Sequence, residues 1–189
     1  HRLVHTTGIF ETRLAETLEP AIAALRGPEG AAVRLAYLPD QLGVDLRLTI
    51  VGGSSEAAAR HFDAWLAGVA HVLDPWRFEA DSGDLAEAPV GELRRVGRTL
   101  AVAESCTGGM IGARVTDVPG SSRVFLGGII AYSNEVKIDH LGVSAPDLQR
   151  QGAVSATVAG QLAAGVAQRF GADVGIGVTG VAGPGGGSD

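Results

Sequence analysis

Three residues in the second half of the sequence have the functional groups of a nucleophilic catalyst. Ser105 opens a short run that ends in Gly108-Gly109, and Tyr132 and Lys137 lie about thirty residues further on. Lys137 is the only lysine, against fourteen arginines. A serine hydroxyl needs a base near neutral pH. An amine whose pKa is lowered by desolvation can be that base, whereas a guanidinium stays protonated. The sequence therefore suggests that Lys137 activates Ser105, with codon bias and chance as the other explanation of a single lysine.

The local setting of these residues leaves structural alternatives open. Ser105 to Gly109 follow an apolar stretch, so their N–H groups could hold an anion or an oxyanion, although a capping serine with a glycine turn has the same pattern. Tyr132 and Lys137 are five apart, beyond the pairing distance of a helix, and meet only if the chain turns between them. A half-buried tyrosine and a surface lysine are the alternative. Cys106 is either a competing nucleophile or a packing residue.

The composition is that of a globular chain packed largely with aliphatic side chains. The 189 residues are 46% hydrophobic, 5% aromatic and 19% charged, and we expect two domains. The net charge of −6 is spread over both halves, so neither has the basic excess of a nucleic-acid binder. One cysteine excludes an internal disulfide, and no Cys/His spacing suggests a metal. With no long apolar run and no signal-peptide pattern, a cytoplasmic location is expected.

The first part of the chain is predicted to form a small α-β-β-α-β unit. Apolar residues recur at steps of three and four from Phe10, and they alternate with polar residues from Val44 to Val51. Gly27-Pro28-Glu29-Gly30 formally matches a G-x-x-G nucleic-acid loop, but it precedes a strand and carries an acid, so we do not expect that role. The predicted elements are a helix over 10–25, strands over 33–38 and 44–51, a helix from Ser54 or Ser55 to Leu73, a strand over 76–80, and a linker over 81–89.

Strands and helices alternate in the remainder, which predicts a layered α/β sheet. Ligands on such sheets bind at the carboxyl ends of strands, where Ser105, Tyr132 and Thr179 fall. The strand around Gly127-Gly128 is apolar almost throughout, so it is expected to be covered on both faces. The predicted elements are strands over 99–103, 124–132 and 172–178, helices over 107–115, 134–141 and 155–170, and loops over 117–122 and 179–187.

The second part of the chain contains six short blocks in a fixed order, at residues 100–109, 117–122, 132–137, 141–143, 152–155 and 179–184. Together these blocks resemble the CinA family, in its C-terminal nicotinamide-nucleotide amidase domain. The resemblance covers residues 90–189, and residues 1–85, with Thr6-Thr7-Gly8-Ile9, look like the small KH-like middle domain of longer CinA proteins. It implies a small α+β KH-like domain followed by a three-layer α/β/α domain of the CinA C-terminal type. That second domain is expected to be truncated at its C-terminus, because the family continues beyond the glycine-rich loop.

The resemblance implies an amidohydrolase that converts nicotinamide mononucleotide to nicotinic acid mononucleotide and ammonia in pyridine-nucleotide salvage. Ser105 would be the nucleophile, Lys137 its base and Tyr132 a partner in proton transfer, a set that can hydrolyse an amide without metal or cofactor. The expected partner is the nucleotide substrate, with no nucleic acid and no membrane, in a homo-oligomer. The candidate substrate-binding residues are Thr107, Gly108, Gly109, Asn134, Thr179 and Gly180.

The sequence is also compatible with two other functions. The chain could be a non-catalytic nucleotide-binding or interaction module of a competence-damage-inducible CinA protein. The other activity of such proteins, ADP-ribose pyrophosphatase, would then lie in an N-terminal domain outside this sequence. Alternatively, the first unit could bind nucleic acid, which predicts a salt-sensitive affinity that its charge does not favour.

Overall fold

The computed structural model describes residues 1–23, 32–40, 42–181 and 183, without the side chains of residues 22 and 23. The chain forms two compact units, His1–Ala88 and Pro89–Asp189. The G-x-x-G sequence at 27–30 and most of the glycine-rich loop after Val181 lie outside the described residues.

The first unit is a four-stranded antiparallel sheet with two helices. Its strands follow the order β2-β3-β1-β4, and eight residue pairs join β2 to β3 in register. Leu14 and Leu18 of the first helix pack with Leu46 and Leu48 of β3 and with Trp65 of the second helix in one apolar core. The elements are β1 (Arg2–Thr6), α1 (Glu11–Ala23), β2 (Ala32–Pro39), β3 (Val44–Val51), α2 (Ser55–Leu73) and β4 (Arg77–Phe78).

The sequence prediction for this unit omits β1 and misplaces one side chain. Strand β1 pairs with β3 and β4, and it buries Val4 and Thr6. A five-residue strand held by partners far along the chain gives only a weak local pattern. Phe10, expected in the buried stripe of α1, is 84% exposed because the helix begins one residue later. The unit is therefore β-α-β-β-α-β.

The second unit is a parallel three-stranded sheet with helices on both faces. Strand β5 lies between β6 and β7, and all five of its residues are buried. The elements are α3 (Glu87–Val96), β5 (Leu100–Glu104), α4 (Met110–Asp117), a 3₁₀ turn (Ser121–Arg123), β6 (Phe125–Ile130), α5 (Asn134–Leu141), α6 (Ala145–Gln151), α7 (Ala156–Phe170) and β7 (Val174–Val178).

Three sequence predictions for this unit are corrected. Strand β6 lies at an edge of the described sheet, and its alternate residues Leu126, Gly128 and Ile130 are exposed, so it is not covered on both faces. Helix α3 begins inside the segment predicted to be a linker, with Pro89 in its first turn, where a proline ring is tolerated. Helix α6 was also missed.

Close backbone contacts set the two helical layers against the sheet. A Cβ on Gly177 of β7 would lie 2.3 Å from the carbonyl oxygen of Ala159 in α7, so only glycine allows this approach. On the opposite face, a Cβ on Gly112 of α4 would lie 3.8 Å from the side chain of Val102 in β5. The carboxyl end of β5 therefore delivers Ser105 between the two layers, directly before the turn into α4.

Candidate active site

Ser105 and Lys137 meet inside the second unit. The amine nitrogen of Lys137 lies 3.2 Å from the hydroxyl oxygen of Ser105, and the two residues are 1% and 6% exposed. Ser105 is held at the end of β5 by the hydrogen bond from its backbone N–H to the carbonyl of Val178, the last residue of β7. Two groups capable of proton exchange are thus in contact within a largely water-free setting.

The amine of Lys137 is oriented by two backbone carbonyls. It donates to the carbonyl oxygens of Ala131 at 2.8 Å and Tyr132 at 2.9 Å, just beyond the end of β6. The Ser133 side chain caps α5 by accepting the N–H of Val136, so the helix begins at once and places Lys137 in its first turns. The chain therefore turns between Tyr132 and Lys137, which brings the amine back to the strand end.

Burial changes the acid–base character of this lysine. Desolvation lowers the pKa of Lys137 below its ordinary value, because the ammonium loses its hydration inside the protein. Attraction to Cys106 and Glu135 opposes that shift but does not cancel it. The neutral amine is therefore more accessible near neutral pH than it is in an exposed lysine, and it can accept a proton from the adjacent hydroxyl.

Glu104 fixes the turn that follows Ser105. Its carboxylate accepts three backbone hydrogen bonds, from Gly109 at 2.9 Å, Ile111 at 3.1 Å and Gly112 at 2.8 Å, while the side chain is almost fully buried. Burial disfavours the charge, but the backbone N–H donors, first among them Gly112, outweigh it and hold the pKa of Glu104 below its ordinary value.

The sequence suggests that the N–H groups of Ser105 to Gly109 could hold an anion or an oxyanion. Three of these five groups are already bonded within the protein: those of Ser105 and Gly108 to backbone carbonyls, and that of Gly109 to the Glu104 carboxylate. No described residue accepts a hydrogen bond from the N–H groups of Cys106 and Thr107, which lie directly after the serine. Glu104 itself was given no role from sequence. Its only local sign is a carboxylate that ends an otherwise apolar strand.

The remaining predicted site residues lie around this pair in different ways. The phenol of Tyr132 is on the surface, 71% exposed, so its described contact with Lys137 is made by the backbone carbonyl. Asn134 is exposed at the first position of α5. Gly108 and Gly109 both have positive φ, at 59° and 102°, and form the tight turn between Ser105 and α4. All four residues follow the carboxyl ends of β5 or β6, at the end of the sheet where Ser105 lies.

Thr179 and Gly180 continue from the end of β7. The Thr179 hydroxyl donates to the carbonyl of Ala153 at 2.8 Å, which ties the strand end to the segment before α7. A Cβ on Gly180 would lie 2.9 Å from the sulfur of Cys106, so the glycine lets the chain pass close to the residue after the nucleophile. Cys106 is only partly buried.

The described part of the chain contains neither a metal-binding cluster nor a membrane-spanning helix. No group of three or more His, Cys, Asp or Glu side chains there is arranged to hold a metal ion. Within the same residues, none of the helices combines the length and the apolar character that crossing a membrane requires.

The family models match both units. Residues 83–189 match the CinA C-terminal domain, and residues 1–78 match the KH domain of the damage-inducible protein CinA. The chain belongs to the CinA family. The expected order, a KH-like domain followed by an α/β domain of the CinA C-terminal type, is confirmed.

Relatives with similar sequences are CinA-like proteins of bacteria. The chain is 44% identical over 187 residues to one from Gemmatimonas aurantiaca, with 99% of this chain and 42% of that protein covered. It is 45% identical over 188 residues to one from Parasynechococcus marenigrum, with 100% and 43% covered. The chain thus spans less than half the length of these relatives.

Solved structures agree with the fold. A competence/damage inducible protein, CihA, from Agrobacterium tumefaciens superposes with a TM-score of 0.54 at 42% identity, covering 59% of this chain and 67% of that one. A CinA superfamily protein from Escherichia coli gives a TM-score of 0.54 at 34% identity, covering 58% and 65%.

Proposed function

We propose that the protein hydrolyses the carboxamide of nicotinamide mononucleotide, giving nicotinic acid mononucleotide and ammonia for pyridine-nucleotide salvage. The observation that supports it most is the buried contact of 3.2 Å between the Lys137 amine and the Ser105 hydroxyl. Amide hydrolysis requires an activated nucleophile and an acid for the leaving nitrogen, and this pair can supply both. The protein acts as a homo-oligomer in the cytoplasm in this proposal.

The hydrogen bonds around Lys137 suit a neutral amine. A neutral amine has two N–H donors and one lone pair. The carbonyls of Ala131 and Tyr132 take the two donors, which leaves the lone pair for the Ser105 hydroxyl. Once protonated, the ammonium has three donors, and the third points to the serine oxygen. The same arrangement therefore holds the base before and after proton transfer.

The reaction follows from these positions. Ser105 Oγ attacks the carboxamide carbon as its proton passes to Lys137, and the tetrahedral intermediate collapses when the lysine gives that proton to the leaving ammonia. Water then attacks the ester carbonyl as its proton passes to the same amine. The ammonium returns that proton to Ser105 Oγ as the acyl–oxygen bond breaks, which frees the acid and restores the serine and the neutral lysine. The oxyanion is held by the amides of Cys106 and Thr107 in this scheme, since the later amides are bound to Glu104.

The remaining predicted residues complete the substrate site in this proposal. Tyr132 is the proposed partner in proton transfer; its phenol is 71% exposed, and its backbone carbonyl is the group that contacts Lys137. The proposed substrate contacts are Thr107, Gly108, Gly109, Asn134, Thr179 and Gly180. Asn134 is the first residue of α5, and the others follow the ends of β5 and β7.

Ammonia release from nicotinamide mononucleotide by the full-length protein tests the proposal. Ser105→Ala and Lys137→Met are expected to lower kcat by about a thousand-fold or more, because each removes one member of a unit that acts together. Ser55→Ala, an exposed serine of α2, is the matched control and should leave kcat unchanged. Equal turnover by wild type and Ser105→Ala would overturn the mechanism. Binding of the nucleotide without any turnover would instead support a non-catalytic nucleotide-binding module.

A further inference from the structure

An open cavity of about 520 Å³ lies in the second unit, at the end of the sheet where β5 and β6 begin. Ser105 lies at the other end, where β5 finishes. The cavity is bounded by the end of α3, the segment that enters β5, and the 3₁₀ turn before β6. Strand β5 separates it from the site described above. At roughly 3.3 Å per residue, Thr99 and Ser105 are on the order of 20 Å apart. The residues around the cavity are Gly91, Arg94, Arg95, Gly97, Arg98, Thr99, Arg123 and Val124.

Four of the fourteen arginines surround this one cavity, in a protein whose net charge is −6. Two of them are already neutralised. Arg95 makes two hydrogen bonds to the carboxylate of Glu92, at 2.6 and 2.7 Å, and Arg98 pairs with Asp173 at 2.7 Å. These ion pairs account for half of the positive charge around the cavity.

The other two guanidinium groups carry no ion pair within the described residues. Arg94 extends from α3 and Arg123 ends the 3₁₀ turn, so they come from different elements to the same space. Basic residues in the last turn of a helix ordinarily compensate its dipole, which accounts for Arg94 and Arg95 on α3. That explanation does not extend to Arg123.

The Arg94 guanidinium also lies against the loop that precedes the 3₁₀ turn. One of its nitrogens lies 3.5 Å from the carbonyl oxygen of Pro119, and a Cβ on Gly120 would lie only 3.2 Å from the same nitrogen. Gly120 has a φ of 80°, which favours glycine, and its missing side chain leaves room for the guanidinium.

We propose that this cavity binds a ligand with two linked phosphates. Guanidinium groups recognise phosphate oxygens through paired N–H donors, and two unpaired guanidiniums on different elements suit two phosphate groups better than one. The volume falls in the range of small-molecule sites and exceeds what a single phosphate occupies. The ligand is either free pyrophosphate or the diphosphate of a nucleotide.

Calorimetric titration of the full chain at low salt tests this, with pyrophosphate, orthophosphate and adenosine diphosphate as probes. Pyrophosphate should bind about ten-fold more tightly than orthophosphate. Arg94→Gln and Arg123→Gln should each weaken pyrophosphate about ten-fold or more, because each removes a charge-assisted hydrogen bond. Arg150→Gln on α6, whose exposed arginine pairs with Asp147, is the matched control and should bind as wild type does. Tighter binding of adenosine diphosphate than of pyrophosphate identifies the nucleotide as the source.

Amide chemical shifts of the ¹⁵N-labelled protein locate the bound probe. Pyrophosphate should move the amides of Gly91, Gly97 and Thr99 and leave those of Ser105 and Gly108 in place. Four results would overturn the proposal: no binding to wild type, equal affinity for orthophosphate, an equal loss in Arg150→Gln, or shifts confined to Ser105 and Gly108. None of these results depends on ammonia release, so the two proposals fail separately.

Discussion

The carboxylate of Glu104 and the backbone N–H of Gly112 are joined by a hydrogen bond of 2.8 Å across the first turn of α4. With the bonds to Gly109 and Ile111, it ties the end of β5 to the start of the helix. Along the chain, Ser105 lies between Glu104 and the residues whose N–H groups the Glu104 carboxylate binds. The position of the proposed nucleophile is thus set partly by the hydrogen bonds of the neighbouring Glu104 side chain.

Glu104→Gln should destabilise the second unit by ~2–3 kcal/mol, because the amide cannot accept all three N–H donors and leaves a buried donor unsatisfied. Urea unfolding followed by circular dichroism measures the change. Asp139→Asn, which removes an exposed charge from α5, should alter stability by less than ~0.5 kcal/mol. A Glu104→Gln protein as stable as wild type would show that these hydrogen bonds contribute little.

Stability should fall at low pH partly through Asp173. Hydrogen bonds from Arg98 and Thr99 lower the pKa of Asp173 to about 2, below its value of about 3.9 in an unfolded chain. The contribution is therefore present above pH 4 and is lost as the pH falls from about 4 to about 2. Melting temperatures of wild type and Asp173→Asn should differ at pH 6 and converge near pH 2. A difference that stays constant over this range would contradict the assignment.

The pH dependence of ammonia release should report the amine of Lys137. Burial lowers the pKa of Lys137, and the neutral form is the base, so kcat/KM should rise with pH to a plateau. The midpoint should lie below about 10.4, the value of an exposed lysine. Initial rates between pH 5 and 10 measure it. A rate that falls as the pH rises through this range would contradict a base that must first lose its proton.

Cys106→Ala separates two roles for the thiol. Attraction to Cys106 raises the pKa of Lys137, so its removal should move the midpoint of the rate profile to lower pH while turnover continues. The same rate profiles measure this shift, with wild type as the reference. Complete loss of turnover in Cys106→Ala, together with retained turnover in Ser105→Ala, would identify the cysteine as the nucleophile.

Two glycines of α7 should respond to alanine with opposite signs. A Cβ on Gly165 would lie 1.9 Å from the carbonyl oxygen of Leu141, so Gly165→Ala should cost about 1–3 kcal/mol or more. Gly160 is exposed with open space around it, and Gly160→Ala should stabilise by about 0.5–1 kcal/mol through helix propensity. Urea unfolding measures both. Similar effects of the two changes would contradict the packing of α7 against the end of α5.

Local chemistry explains which elements were predictable. The bounds of α5 and α7 follow from Ser133 and Ser155, which cap their first turns, and Gly171 ends α7 at a φ of 65°. Strand β1 was missed because its stability comes from pairing with β3, more than forty residues away. The sequence does not predict helix α3, because an acidic segment with a proline has the composition of a linker. In the structure the segment is helical and its Val90 is fully buried.

The site was predictable in its residue types and less so in its contacts. A single lysine near a strand end suggested a base, and the structure brings its amine to Ser105. The bonds that orient this amine come from the carbonyls of Ala131 and Tyr132, and every residue has such a group, so no side-chain pattern reveals them. The same holds for the amides that Glu104 binds. Backbone contacts become visible only when the fold is known.

Because Lys137 is the only lysine and is buried, cleavage after lysine can report local opening of the chain around it. An endoproteinase that cleaves only after lysine has one target bond in this sequence, between Lys137 and Ile138, inside α5. That bond resists cleavage while the helix is intact and the side chain stays 1% exposed. The rate of this single cut therefore measures how often α5 opens around Lys137.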